Sequence, residues 1–211
     1  MNRVQSNAGS AGIASAVLLV VLFFFFATSG LTAQDFMDPA KALPALTQKS
    51  STFMGVGVAG PLAAAFGLVF FTGLFYRLRD KAPTRAAAAL IFAVVGLTGH
   101  ALGALAAWKG GAVIAALKDQ VAATHAWSAL AAADGAFDGL GNGFTGAAVA
   151  IAGWAVAATG ALSSASGWLG VIAGIFSILA VFTTADVVML GGIVLLIIWL
   201  AWSGFQMRKA M

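Results

Sequence analysis

Every acid in this sequence is an aspartate, cysteine is absent, and there are two histidines, so the side chains able to ligate a metal or carry a proton are few. His100 lies in the apolar run AAAALIFAVVGLTGHALGAL, 14 residues after Ala86. In a bilayer that offset places it about 21 Å from the inner boundary, in the outer half of the membrane. A buried imidazole stays neutral and seeks one or two hydrogen-bond partners. Thr98 or a hydroxyl on another helix would satisfy it, and a ligand or proton-pathway role is the functional alternative. His125 is the second histidine. Together the two are the residues available as axial ligands of a haem b, which needs two strong imidazole donors when low-spin. Two histidines are a minimal requirement and no signature, so no cofactor is expected.

The other polar candidates sit in apolar surroundings. Asp134 and Asp138 are four residues apart, a spacing that shares one helical face, but Gly135, Gly139 and Gly141 predict a helix break there. Two carboxylates with backbone oxygens and water would suit a hard cation, and solvation with capping of the next segment is the plainer reading. Asp186, in ADVVML, ends an apolar run, where it either caps a turn or lines an aqueous vestibule. Asn142 and Thr145 stand in GLGNGFTG. The ring of Pro61 deprives the carbonyl of Gly57 of its amide donor and predicts a bend. If a solute path exists, His100 should face a cavity bounded by that bend and by Asn142 and Thr145, with Asp186 near the outer mouth.

Machinery for catalysis is missing from the sequence. Ser163, Ser164 and Ser166 have no neighbouring base, and there is no Walker loop, dinucleotide fingerprint after a strand, or HExxH. Without cysteine there can be no disulfide, thiolate nucleophile, iron–sulfur cluster or thiolate zinc site. The expectation is a non-catalytic protein with no metal site.

The elements that would position these residues follow from composition. The chain is 61% hydrophobic and 9% charged, against roughly a quarter charged in a soluble domain. A soluble all-helical protein would need far more charge on its outer faces. Six segments approach the roughly 20 apolar residues of a membrane crossing, at about 11–30, 54–76, 86–108, 140–162, 167–188 and 190–207. The predicted fold is all-α, an integral membrane bundle of six transmembrane helices forming one domain over 1–211, with a short helix in the second outward loop at about 112–134. The first 30 residues imitate a secretory leader, but their apolar run is long for one and is expected to be the first span.

The charges orient the bundle. Arg3, Arg77, Arg79, Lys81, Arg85, Arg208 and Lys209 fall on one side with Asp80 alone among the acids, a net +6. The other side carries Lys41, Lys49, Lys109 and Lys118 against six aspartates, a net −2. By the positive-inside rule, both termini are expected in the cytoplasm of a bacterial inner-membrane protein. The net charge of +4 thus reflects loop topology and gives no reason to propose nucleic acid as a partner. Glycines at 55, 57 and 60, at 96, 99 and 103, and at 167, 170 and 174 predict helices in close contact. Phe23 to Phe26 surround the first span, so at least two of them must face lipid or another chain.

The segments FTGLFYRLRDKAPTRAAAALIF at 71–92 and GWAVAATGALSSASGWLGVIAGIFSILAVF at 153–182, with the long outward loop after the first span, resemble the DUF4386-type family of uncharacterised bacterial inner-membrane proteins. Phe75-Tyr76-Arg77-Leu78 before a basic loop, and the turn from Leu162 to Gly170, carry the resemblance. It implies six spans and brings no catalytic residues. The expected function is a structural or accessory component whose partners are membrane lipids, other membrane subunits or further copies of the chain. The alternative is a small-solute channel or secondary carrier, and a haem-binding electron-transfer subunit is a minor third.

Overall fold

The computed structural model describes residues 2–183 and 186–209. The described residues are helical almost throughout: α1 (Asn2–Ser29), α2 (Ala33–Met37), α3 (Pro39–Gln48), α4 (Ser50–Leu78), α5 (Pro83–Leu105), a π-helical turn (Ala106–Gly110), α6 (Gly111–Ala115), α7 (Gln120–Thr159), α8 (Ser164–Leu179) and α9 (Asp186–Lys209). Among them, five helical stretches are long and apolar enough to cross a membrane. They are 3–29, 50–78, 83–115, 120–159 and 187–209. At 16 residues, α8 covers about 24 Å and falls short of that length.

The long helices close into a ring. In order around it, α1 packs on α4, α4 on α5, α5 on α7, α7 on α8, α8 on α9, and α9 back on α1. Aromatic side chains fill the middle. Phe70 and Trp199 are fully buried and meet edge-on at 5.4 Å, with Phe71 at 5.9 Å from the same indole. Val149 and Val156 of α7, Ala173 of α8, and Ala89 and Ala93 of α5 complete this core.

Lipid provides no hydrophobic drive between helices, so their contacts depend on backbones coming close. A Cβ at Gly153 would lie 2.6 Å from the carbonyl oxygen of Gly167, and one at Gly167 would lie 2.6 Å from the amide of Ala157. Gly146 and Gly174 meet in the same way, as do Gly9 and Gly204 between α1 and α9.

Hydrogen bonds tie one end of the ring. Arg77 donates from Nε to the carbonyl of Ala161 (2.7 Å) and from Nη1 to Oε1 of Gln5 (2.9 Å). Gln206 accepts from the amide of Ser163 and donates to its hydroxyl, both at 2.7 Å. Gly160, at φ +62°, ends α7 in a left-handed turn. This is the end where the basic residues of the 77–85 loop gather.

The opposite end carries a second, smaller core. Trp127 of α7 is fully buried, donates from Nε1 to the carbonyl of Phe36 at 3.0 Å, and meets the Phe36 ring edge-on at 5.0 Å. Ala42 and Leu46 of α3, Phe53 of α4 and Ile114 of α6 join it. A capping box between Thr32 and Asp35 starts α2, and Asp35 also pairs with Lys41. The Lys41 ammonium, then the Thr32 hydroxyl and amide, lower the Asp35 carboxyl from 3.8 to about 2.

One expectation about this end is corrected. The helix expected at about 112–134 is not a separate element: α6 continues α5 through the π-helical turn and α7 runs unbroken from Gln120 to Thr159, so the connection shrinks to residues 116–119. Asp119 caps it, accepting from the amides of Val121 and Ala122. Interior glycines cost about 1 kcal/mol each relative to alanine, which packing of Ala123, Trp127 and Ala131 under α2 and α3 outweighs. In the first loop, Pro39 takes the first position of α3, where no amide is needed, and Pro44 is accommodated inside it.

The glycine contacts make a paired prediction. Gly153→Ala should lower the thermal midpoint in detergent, by about 1–3 kcal/mol of overpacking. Gly139→Ala, with nothing within 4 Å of the new methyl, should leave it unchanged or raise it. Equal effects at the two positions would refute the contact argument.

Candidate functional site

Along α7, Asp134, Asp138, Gly141 and Thr145 recur at intervals of three and four, so they form one stripe on the helix. That stripe meets α5, where Gly96, Gly99 and Gly103 recur in the same way and His100 stands next to Gly99. The glycines set the distance. A Cβ at Gly99 would lie 3.0 Å from the amide of Gly141, and one at Gly141 would lie 2.5 Å from Nδ1 of His100. The imidazole therefore lies flat against bare backbone.

The polar groups gather on this seam. Nδ1 of His100 is 3.8 Å from Oδ1 of Asp138, within reach of an ion pair when the ring is protonated, yet too long for a hydrogen bond. The two side chains are 32% and 58% exposed. Asp134, one turn earlier on α7, is only 9% exposed and has no hydrogen bond or ion pair among the described residues. Oδ1 atoms of both aspartates face Gly103, at 3.1 Å and 3.6 Å from where its Cβ would stand. Asp134 lies between the two cores, one turn from Ala131 of the smaller one.

Thr145 continues the seam. It is buried, packs against Gly96, and its Oγ1 has no hydrogen-bond partner among the described residues. Asn142, half-buried, follows Gly141 on the same helix. Thus His100 and Thr145, both singled out in the sequence, belong to one interface.

The other candidates lie elsewhere. Pro61 is on α4, which meets α5 through Gly60 against Ala104 and Gly67 against Leu97, and the π-helical turn through Gly57 against Trp108. His100 faces α7, so the Pro61 bend does not wall it. The side chain of Asp186 lies outside the described residues. His125, exposed, precedes Gly141 by 16 residues on α7, about 24 Å along the axis. His100 is packed at Gly141, so the two histidines are not brought together as axial ligands.

Asp134 and Asp138 were missing from the sequence-derived path. Their spacing by four was the available signal, and the assumed break at Gly135–Gly141 hid it. Among the described residues, no three histidine or aspartate side chains group closely enough to hold a metal ion. What the seam can do is hold a proton or orient a small hydrogen-bonding solute, using an imidazole, two carboxyls and a hydroxyl.

A test separates burial from partnership at Asp134. Asp134→Asn keeps the shape and removes a charge with no partner, so it should raise the thermal midpoint at neutral pH, by roughly 1–3 kcal/mol. Asp138→Asn, more than half exposed, should change little. A marked fall for Asp134→Asn would show that the carboxylate is held by a partner. Compared with known proteins, the chain matches no family model, no curated protein and no solved structure.

Proposed function

We propose that the chain is a multi-pass protein of a bacterial cytoplasmic membrane, crossing six times with both termini inside. In this reading it is a non-catalytic structural or accessory component that packs against lipid or a larger membrane assembly. One observation carries it: the centre of the helical ring is filled by Phe70, Phe71 and Trp199. Backbone-to-backbone glycine contacts at α7–α8 support a bundle built to be rigid. The outer surface is apolar, and α1 leaves Phe24, Val17 and Val20 more than half exposed. In this proposal α8 is the sixth crossing despite its length. Kinship with DUF4386-type proteins is proposed on Phe75-Tyr76-Arg77-Leu78 and the turn from Leu162 to Gly170.

The accessory role predicts association through α1. Native mass spectrometry of the chain released in mild detergent should show a protein species heavier than its 21.2 kDa. Phe24→Ser should reduce that species while leaving the helix content unchanged. A strict monomer with lipid alone would remove the accessory role and leave the fold untouched.

The seam supports a second reading, a carrier of protons or of a small polar solute, with Asp134 and His100 as the side chains that would hold the cargo. Ionisable residues within membrane helices mark such paths by default. Proteoliposomes containing a pH-sensitive dye should then show an imposed proton flux that Asp134→Asn abolishes. Flux no greater than in protein-free liposomes would end this reading.

A further inference from the structure

Of the four cations in the 77–85 segment, three are already engaged. Arg77 spends its donors on Ala161 and Gln5, Lys81 reaches the carbonyl of Thr159 at 3.3 Å, and Arg79 lies 3.6 Å from Asp80. Arg85 differs. It is exposed, has no hydrogen bond or ion pair among the described residues, and its guanidinium lies 4.5 Å over the ring of Trp154. Stacking on an indole occupies the face of a guanidinium and leaves its in-plane N–H groups free, the arrangement that takes a phosphate two-pronged. Arg85 also stands in the first turn of α5, where a cation is disfavoured by the helix dipole and gains from an anion beside it.

Trp154 is also one wall of a groove. Between α7 and α8 an open apolar concavity of about 220 Å³ is lined by Ala150, Ile151, Trp154, Trp168, Val171 and Ile175. Trp154 and Trp168 are 56% and 58% exposed and lie within about a turn and a half of the helix ends, the depth of an interfacial aromatic belt. Ile175 is 11 residues beyond the start of α8, so the groove reaches about 16 Å inward, close to half of the ~30 Å hydrocarbon core.

We propose that this groove binds one anionic phospholipid, its acyl chain along Ile151, Val171 and Ile175 and its phosphate on Arg85. Charge complementarity selects the occupant: an unpaired, stacked arginine sits at the head of an apolar channel one leaflet long. A zwitterionic lipid would bring its own cation to the end of the bundle that already carries Arg79, Lys81 and Arg85. The proposal rests on the membrane placement and is independent of the accessory role, so a monomeric protein would still bind the lipid.

The test uses the full-length chain in detergent micelles and its tryptophan emission, quenched by phosphatidylglycerol or phosphatidylcholine with brominated acyl chains. Phosphatidylglycerol should quench at about fivefold lower mole fraction, the scale of one basic residue at a lipid surface. Arg85→Gln should erase the preference, and Arg79→Gln, whose charge is matched by Asp80, should retain it. Val171→Phe, which fills the groove, should weaken quenching by phosphatidylglycerol and provides a second reading if Arg85→Gln does not fold. Equal quenching by the two lipids in the unmodified chain, or an undiminished preference in Arg85→Gln or Val171→Phe, would overturn the proposal. So would loss of the preference on adding millimolar glycerol 3-phosphate, which would mean that the phosphate alone is recognised.

Discussion

Backbone approach between helices is the constraint on which the rest of this structure depends. Side chains gain little by leaving lipid for one another, so the α5–α7–α8 arc is held by surfaces that fit with almost nothing between them. Gly153 against Gly167 and Gly146 against Gly174 are such surfaces. Where the backbones are that close no side chain fits between them, and the inner side of the ring is filled by Phe70, Phe71 and Trp199. The closure of the bundle and the bulk of its centre are two results of one packing rule.

The same rule explains the polar seam. An imidazole between helices is usually accommodated by a side chain that retreats; here Gly141 has none, and His100 lies on its backbone. That leaves the ring nitrogen beside Asp138 and both carboxyls over Gly103. A methyl at 103 or 141 would force the groups apart, so the glycines that shape the contact also create the cluster.

Much of this was legible in the sequence, for reasons that differ by residue. Apolar length marked the helices because nothing else satisfies a chain this poor in charge. The gathering of Arg77, Lys81 and the 160–163 turn at one end followed from short connections, which leave antiparallel neighbours no other choice. The continuity of α7 was not legible, because Gly135, Gly139 and Gly141 read locally as a break, whereas burial of Trp127 by Phe36, 91 residues away in sequence, sustains the helix. The partner of His100 was hidden for the same reason: Asp138 lies on another helix, and its direction depends on the helix being intact. Nothing in the structure requires a glycine at 139, which has open space around it.

The basic end has a second use for its charge beyond topology. Carbonyls at the end of α7 carry the negative pole of a 40-residue helix and lack amide partners of their own. Lys81 meets the carbonyl of Thr159 there, and Arg77 reaches the next turn at Ala161. Cations that the positive-inside rule would place in this loop for insertion thus also close the helix end and bind the α4–α5 turn to the α7–α8 turn. Arg85 is left over from that arrangement, held by an indole and, among the described residues, by no acid. In the proposed membrane placement, a residue so oriented and left without an acid among the described residues is offered a counterion by the lipid phosphates at this depth.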